Sequence, residues 1–258
     1  MPDLARWSYL DSPGPIALAH RGAHGVGVTE NSTAAFARAV ELGYTYVETD
    51  VHATVDGVLV AFHDATLDRV TDRAGAISHL PYEVVARARL ADGSPIPLLE
   101  DLLGTWPDLR VNIDAKDDHA VGPLLDVLAR TRAHGRVCVG AFSDTRVRAL
   151  RAALPPGTAT ALAPREVAAL RMRPPGRLGR RMLSTDAPCV QVPPRLGRLT
   201  VVDEQFVARA HDQGRMVHVW TINDAAQMHR LLDLGVDGIV TDDAAGLLQV
   251  LRERAASP

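Results

Sequence analysis

The chain of 258 residues is 47% hydrophobic, 23% charged and 4% aromatic, enough for one barrel-sized domain of about 250 residues. Its 28 basic and 31 acidic residues give a net charge of −3, so no overall basicity points to a nucleic-acid partner. Two cysteines, Cys138 and Cys189, exclude a disulfide framework and a Cys-rich zinc site, and both lie in apolar runs that suit buried thiols.

In chain order, the N-terminus MPDLARWSYLDSPGP shows no basic stretch followed by an apolar one, so no signal peptide is expected. The apolar runs all fall well short of the roughly 20 residues that span a bilayer. A cytoplasmic protein without an integral membrane segment is therefore expected. Strand patterns follow at 16–20, 44–51, 109–115, 136–142, 158–162, 188–192, 216–222 and 237–242. Between most of them lie amphipathic helical stretches, at 32–43, 120–135, 144–154, 203–214 and 224–235. The expected caps are Ser32, Asp144, Asp203 and Asp224, and the expected stops are Gly43, Gly135, Gly214 and Gly235. Strands alternating with helices imply parallel pairing. Eight of them in this length predict an α/β fold, a closed (β/α)8 TIM barrel, with an open doubly wound sheet as the alternative.

Residues 52–100 interrupt the rhythm with GVLVAFH at 57–63, several turn signals and the segment SHLPYEVVARARL at 78–90. They predict a small insertion between the second and third barrel strands within a single domain spanning 1–258. Five arginines cluster at 171–181, around Pro-Pro-Gly, and read as a solvated loop on the barrel face opposite the chemistry.

Reactive groups of such a barrel sit at the C-terminal ends of its strands. The first strand ends in His20-Arg21-Gly22, the second carries Glu48 and Asp50, and the third carries Asn112, Asp114 and Lys116. A spacing of two puts Glu48 and Asp50 on one strand face. Unpaired carboxylates there repel one another and are costly to desolvate. A divalent cation, Mg2+ or Ca2+, resolves the conflict with hard oxygen ligands; an internal ion network with Arg21 and Lys116 is the competing solution. Carboxylates flanked by Arg and Lys describe a phosphoryl site, in which Arg21 and Lys116 meet the nonbridging oxygens. His20 and His63, from separate segments, suit the proton traffic of phosphodiester cleavage near neutral pH. The remaining histidines read as loop or surface residues. Of the 28 basic residues only Lys116 is a lysine; it falls two positions past a candidate ligand.

These residues, in order, resemble the glycerophosphodiester phosphodiesterase family: AHRG at 19–22, EN at 30–31, VETDVHATVDGVLVAFHD at 47–64, VNIDAK at 111–116, AFS at 141–143, VWTIND at 219–224 and GVDGIVTD at 235–242. The resemblance implies a TIM barrel with an insertion at about 64–96. The implied reaction is divalent-cation-dependent hydrolysis of glycerophosphodiesters to glycerol 3-phosphate and an alcohol, within lipid and glycerol metabolism. It implies His20 and His63 as the acid–base pair, Arg21 at the phosphate, and Glu48, Asp50 and Asp114 at the metal, with Asp114 two residues before Lys116. Asp114 stands where the family usually carries a glutamate. Glu30, Phe142 and Trp220 fall at the family's substrate pocket, although Phe142 and Trp220 also suit plain barrel core. Two alternatives remain open: a lysophospholipase D acting on lipid-bearing diesters, and a silent barrel that binds phosphate metabolites.

Overall fold

In the computed structural model, residues 6–172, 183 and 185–256 are described. Eight parallel strands form the barrel. They are β1 (Ile16–Ala19), β2 (Tyr46–Ala53), β4 (Arg110–Ala115), β5 (Val137–Gly140), β6 (Ala159–Thr160), β7 (Cys189–Val192), β10 (Met216–Val219) and β11 (Gly238–Thr241). Their order is β6-β5-β4-β2-β1-β11-β10-β7. A parallel bridge between Ala161 and Cys189 joins the two ends, and the Leu162 N–H donates to the Cys189 carbonyl at 2.8 Å. The expected barrel is therefore the fold, and the open sheet is excluded. Apolar residues on both faces suit strands covered by helices outside and packed within.

The α-helices with described bounds are α1 (Thr33–Glu41), α2 (Tyr82–Val85), α3 (Leu99–Thr105), α4 (Val121–Thr131), α5 (Asp144–Ala153), α6 (Pro164–Met172), α7 (Glu204–Asp212), α8 (Ala225–Asp233) and α9 (Ala244–Ala256). Ser32, Asp203 and Asp224 cap α1, α7 and α8 by accepting the backbone N–H three residues on. Two expectations are corrected. Ser143 rather than Asp144 caps α5, because its hydroxyl reaches the Arg146 N–H. Gly135 does not end α4; Arg132 does so in a left-handed conformation, φ 52°, and Gly135 lies in the 3-10 turn beyond.

A short N-terminal turn, Ser8–Leu10, plugs the bottom of the barrel. Trp7, Tyr9 and Leu10 pack with Ile16, Leu18, Tyr46, Cys138 and Cys189. Tyr46 donates its hydroxyl to the Tyr9 carbonyl at 2.7 Å, and both cysteines are buried free thiols.

The strand β3 (Leu59–Ala61) pairs antiparallel with β2. It opens a segment with its own apolar cluster of Val60, Phe62, Leu67, Ile77, Val85, Ala88, Leu90 and Ile96. A hairpin, β8 (Arg195–Leu196) with β9 (Leu199–Thr200), follows β7. Residues 173–181 of the arginine cluster lie outside the described residues. Arg171 itself pairs with Asp203 at 2.9 Å.

Two histidines expected at the surface belong inside. His218 on β10 is fully buried, and burial pushes its pKa down to about 4, so the neutral ring is what packs there. His52 is also buried, its ring bonded to Asp117 at 2.7 Å and to the His63 carbonyl at 3.1 Å.

Candidate active site

The register of β2 against β4 sets Glu48 beside Asn112 and Asp50 beside Asp114. All four side chains line a cavity of about 430 Å³ that also takes in His20, Arg21, His63, Lys116, Phe142 and Trp220. The carboxylates, both cations and both histidines expected from the sequence are thus brought to one place. Glu30 is not among the lining residues; it accepts Arg21 Nη1–H at 2.9 Å.

The loop after β1 aims Arg21 at this cavity. The His20 N–H donates to the Thr241 carbonyl on β11 at 2.9 Å. Arg21 (φ 52°) and Asn31 (φ 56°) are left-handed, and the Asn31 N–H donates to the Arg21 carbonyl at 2.9 Å. Strained backbone of this kind persists where surrounding contacts over-determine it. Gly22 supplies the close approach: at φ +79°, a Cβ would lie 2.7 Å from the Ala35 carbonyl carbon in the first turn of α1. Gly22→Ala should therefore destabilise the fold by about 3 kcal/mol, a drop in Tm of about 6–12 °C, and should lower activity by displacing Arg21. An unchanged melting curve would show that the loop yields at no cost.

Charges in the cavity are unevenly matched. Lys116 Nζ lies 2.9 Å from Asp50 Oδ1 and 2.9 Å from Asp114 Oδ2. Arg21 Nε lies 3.1 Å from Asp50 Oδ2, and its backbone N–H donates to Glu48 Oε2 at 3.2 Å. Burial would lower the Lys116 pKa, but the carboxylates of Asp114 and Asp50 override it and hold the ammonium charged. Asp114 is raised even so, because burial and the charge of Asp50 outweigh Lys116. Burial first, then Asp50 and Asp114, push Glu48 well above the usual carboxylate range. That surplus of negative charge, on hard oxygen donors from adjacent strands, is what a divalent cation relieves, so the residues present fit one. Among the described residues the tightest group of ligand atoms, all within 4.8 Å of one another, is a different one: His20, His24 and Asp242.

Each histidine of the expected pair has its own carboxylate. His20 Nδ1–H donates to Asp242 Oδ1 at 2.6 Å, which leaves Nε2 facing Glu48 Oε2 at 3.8 Å. His24 Nε2–H donates to the same Asp242 oxygen at 3.0 Å, and Asn223 donates to Oδ2 at 2.8 Å. Burial opposes ionisation of Asp242, but hydrogen bonds from His20, His24 and Asn223 override it and hold its carboxyl far below the usual range. His63 Nδ1–H donates to Asp64 Oδ1 at 2.6 Å. Arg69, which hydrogen-bonds Asp64, holds that carboxyl down at about 2. Sequence reasoning missed Asp242, His24 and Arg69. Asp242 closes the VTD run at the end of β11, and only the closed barrel brings that end beside β1.

The far wall of the cavity is apolar: Ala161, Leu162, Val167, Val192, Leu196 and Val201. Phe142 and Trp220 meet edge-on, with ring centroids 5.6 Å apart, and Phe142 is 67% exposed. Phe142 thus stands at the mouth of the cavity and not in the core. Gln191 donates to Asn112 Oδ1 at 2.8 Å and ties β7 to β4 across the barrel.

Residues 20–245 match the family described as "Glycerophosphoryl diester phosphodiesterase family". The chain is 43% identical over 248 residues to "Probable glycerophosphodiester phosphodiesterase 2" of Mycobacterium tuberculosis, covering 95% of this chain and 94% of that one. It is 28% identical to a glycerophosphodiester phosphodiesterase of Caldanaerobacter subterraneus, covering 92% and 98%. Among solved structures, it superposes with a TM-score of 0.74 on an Oleispira antarctica phosphodiesterase in complex with the product sn-glycerol-3-phosphate, at 21% identity and covering 92% and 97%. The glycerophosphodiester phosphodiesterase of Agrobacterium tumefaciens gives a TM-score of 0.75 at 20% identity, covering 92% and 99%. These two likenesses concern the fold. The chain belongs to the glycerophosphoryl diester phosphodiesterase family and is a phosphoric diester hydrolase.

Proposed function

We propose that this protein hydrolyses glycerophosphodiesters to glycerol 3-phosphate and an alcohol, in a reaction that requires Mg2+ or Ca2+. The observation that carries this reading is the joint placement of His20 and His63 around a cavity holding Arg21, Lys116 and three carboxylates. Glu48, Asp50 and Asp114 would hold the cation, which when bound supplies positive charge to the phosphate oxygens. Arg21 and Lys116 bind the same group, the first as a fork and the second as a point charge. Asp242 and Asp64 fix the ring orientations of His20 and His63 through Nδ1. The free Nε2 atoms then divide the proton work. One takes the proton of the attacking oxygen, and the other delivers a proton to the leaving alkoxide. The names of the relatives and the glycerol phosphate bound to the Oleispira antarctica protein support the substrate class.

A coupled glycerol 3-phosphate assay on glycerophosphocholine, glycerophosphoethanolamine, glycerophosphoinositol and glycerophosphoglycerol tests the reading. Product release should stop with EDTA and return with Mg2+ or Ca2+. An unchanged rate in EDTA would remove the cation from the reaction, and silence on all four diesters would remove the substrate class.

A second reading, cleavage of lipid-bearing diesters in the manner of a lysophospholipase D, draws on the apolar wall and on Leu196, which is 69% exposed at the cavity rim. Faster release of choline from lysophosphatidylcholine than from glycerophosphocholine would favour it. No helix among the described residues is long and apolar enough to cross a membrane.

A further inference from the structure

Arg69 lies outside the barrel, in the 3-10 turn Leu67–Arg69 of the segment between β2 and β4. Its guanidinium reaches two carboxylates. Nε–H donates to Asp64 Oδ2, and Nη2–H donates to Asp64 Oδ1 at 3.1 Å. In the other direction Nη1–H donates to Glu30 Oε2 at 3.1 Å and Nη2–H to Glu30 Oε1 at 2.6 Å. Each carboxylate then holds one group of the proposed reaction. Asp64 Oδ1 takes the His63 Nδ1–H, and Glu30 Oε1 takes Arg21 Nη1–H. An unbroken path of charged hydrogen bonds thus runs from His63 through Asp64, Arg69 and Glu30 to Arg21.

We propose that Arg69 is a positioning residue for phosphodiester cleavage, which by gripping Asp64 and Glu30 in one planar fork sets His63 against Arg21. Through it the part of the segment beyond His63 contributes to the site, although Arg69 itself need not touch the substrate. The geometry calls for arginine, because only a guanidinium offers five donors in a rigid fork that can satisfy two diverging carboxylates. The base of the fork is fixed: Leu67, two residues earlier, is buried in the segment's own apolar cluster. Arg69 is about half exposed on its side chain, and ion pairs of that kind contribute little to stability. Its loss should therefore appear in the rate and not in the fold.

The proposal rests on His63 as an acid–base group, so His63→Ala is measured alongside. In Arg69→Met, kcat for a glycerophosphodiester should fall about 30-fold with KM changed less than threefold and Tm within a few degrees of the parent. Arg69→Lys keeps the charge and loses the fork, and should recover only part of the rate. Millimolar guanidinium ion should raise the rate of Arg69→Ala severalfold and leave the parent unaffected. In an Asp64→Asn background, Arg69→Met should cost much less than it does alone, because the path is already cut. A folded Arg69→Met with kcat within twofold of the parent overturns the proposal. So does a loss that active-site titration traces entirely to fewer folded molecules, or one that guanidinium does not relieve. If His63→Ala itself keeps the parent rate, the acid–base reading fails first. If His63→Ala is inactive while Arg69→Met is normal, the positioning role alone falls.

Discussion

Glycerophosphodiester turnover should drop about a thousandfold in His63→Ala and in His20→Ala, the middle of the range for a lost general acid or base. Two arrangements make both losses large. Each ring is held through Nδ1 by an aspartate, at 2.6 Å in both cases, so neither can be replaced by a water of random orientation. The two rings also arrive on unrelated segments, after β1 and after β3, so one cannot swing over to do the other's work. A 4-nitrophenyl diester separates the roles. Its leaving group departs without a proton, so the variant that lost the acid should regain most of its rate on this substrate, and the variant that lost the base should not. More than half the parent rate in both alanine variants, measured on the ordinary diester, would end the two-histidine assignment.

Lys116 carries the second large expectation. Its ammonium sits 2.9 Å from both Asp50 and Asp114, two carboxylates that are themselves buried. Lys116→Met strands Asp114 and leaves Asp50 only Arg21 and Asn31, and breaking a buried pair from one side costs about 3 kcal/mol. Urea unfolding should show a lower midpoint with an unchanged slope. Lys116→Arg keeps the charge, yet a forked guanidinium does not fit the point between two carboxylates on adjacent strands. Stability should stay near the parent while kcat falls about tenfold, equivalent to about 1.4 kcal/mol in the barrier. An unchanged kcat in Lys116→Arg would reduce the lysine to a counter-charge that either cation can supply.

The composition of the basic residues pointed to Lys116 before any geometry did, since a chain that uses arginine elsewhere carries lysine only there. Barrel strands were legible because buried parallel strands are short apolar runs between helical patterns. The groups at their ends followed from the rule that places chemistry there. What stayed hidden needed contacts across the closure. Asp242 is 222 residues from His20, and nothing local marks it as that histidine's partner. His52 and His218 read as loop or surface residues because a single polar ring carries no local sign of burial, and only the closed barrel reveals what surrounds them. The hairpin of β8 and β9 is two residues per strand, too short for a periodic signal. The choice of Ser143 over Asp144 as cap is a shift of one residue, the least legible scale in any sequence.

The cavity divides along the chain. Residues 20–116 supply the histidines, cations and carboxylates, while residues 141–201 supply most of the apolar wall opposite them. Leu162, Val167, Val192 and Val201 of that wall pack in the cluster around β7 and β10, whereas the strands that carry the carboxylates belong to the cluster around β2 and β4. A duplicated copy of such a chain can therefore change residues of that wall and leave the carboxylates, cations and histidines of 20–116 in place. As long as Asp242 keeps its hold on His20, new substrates are reached by remodelling a wall and not by reinventing a reaction.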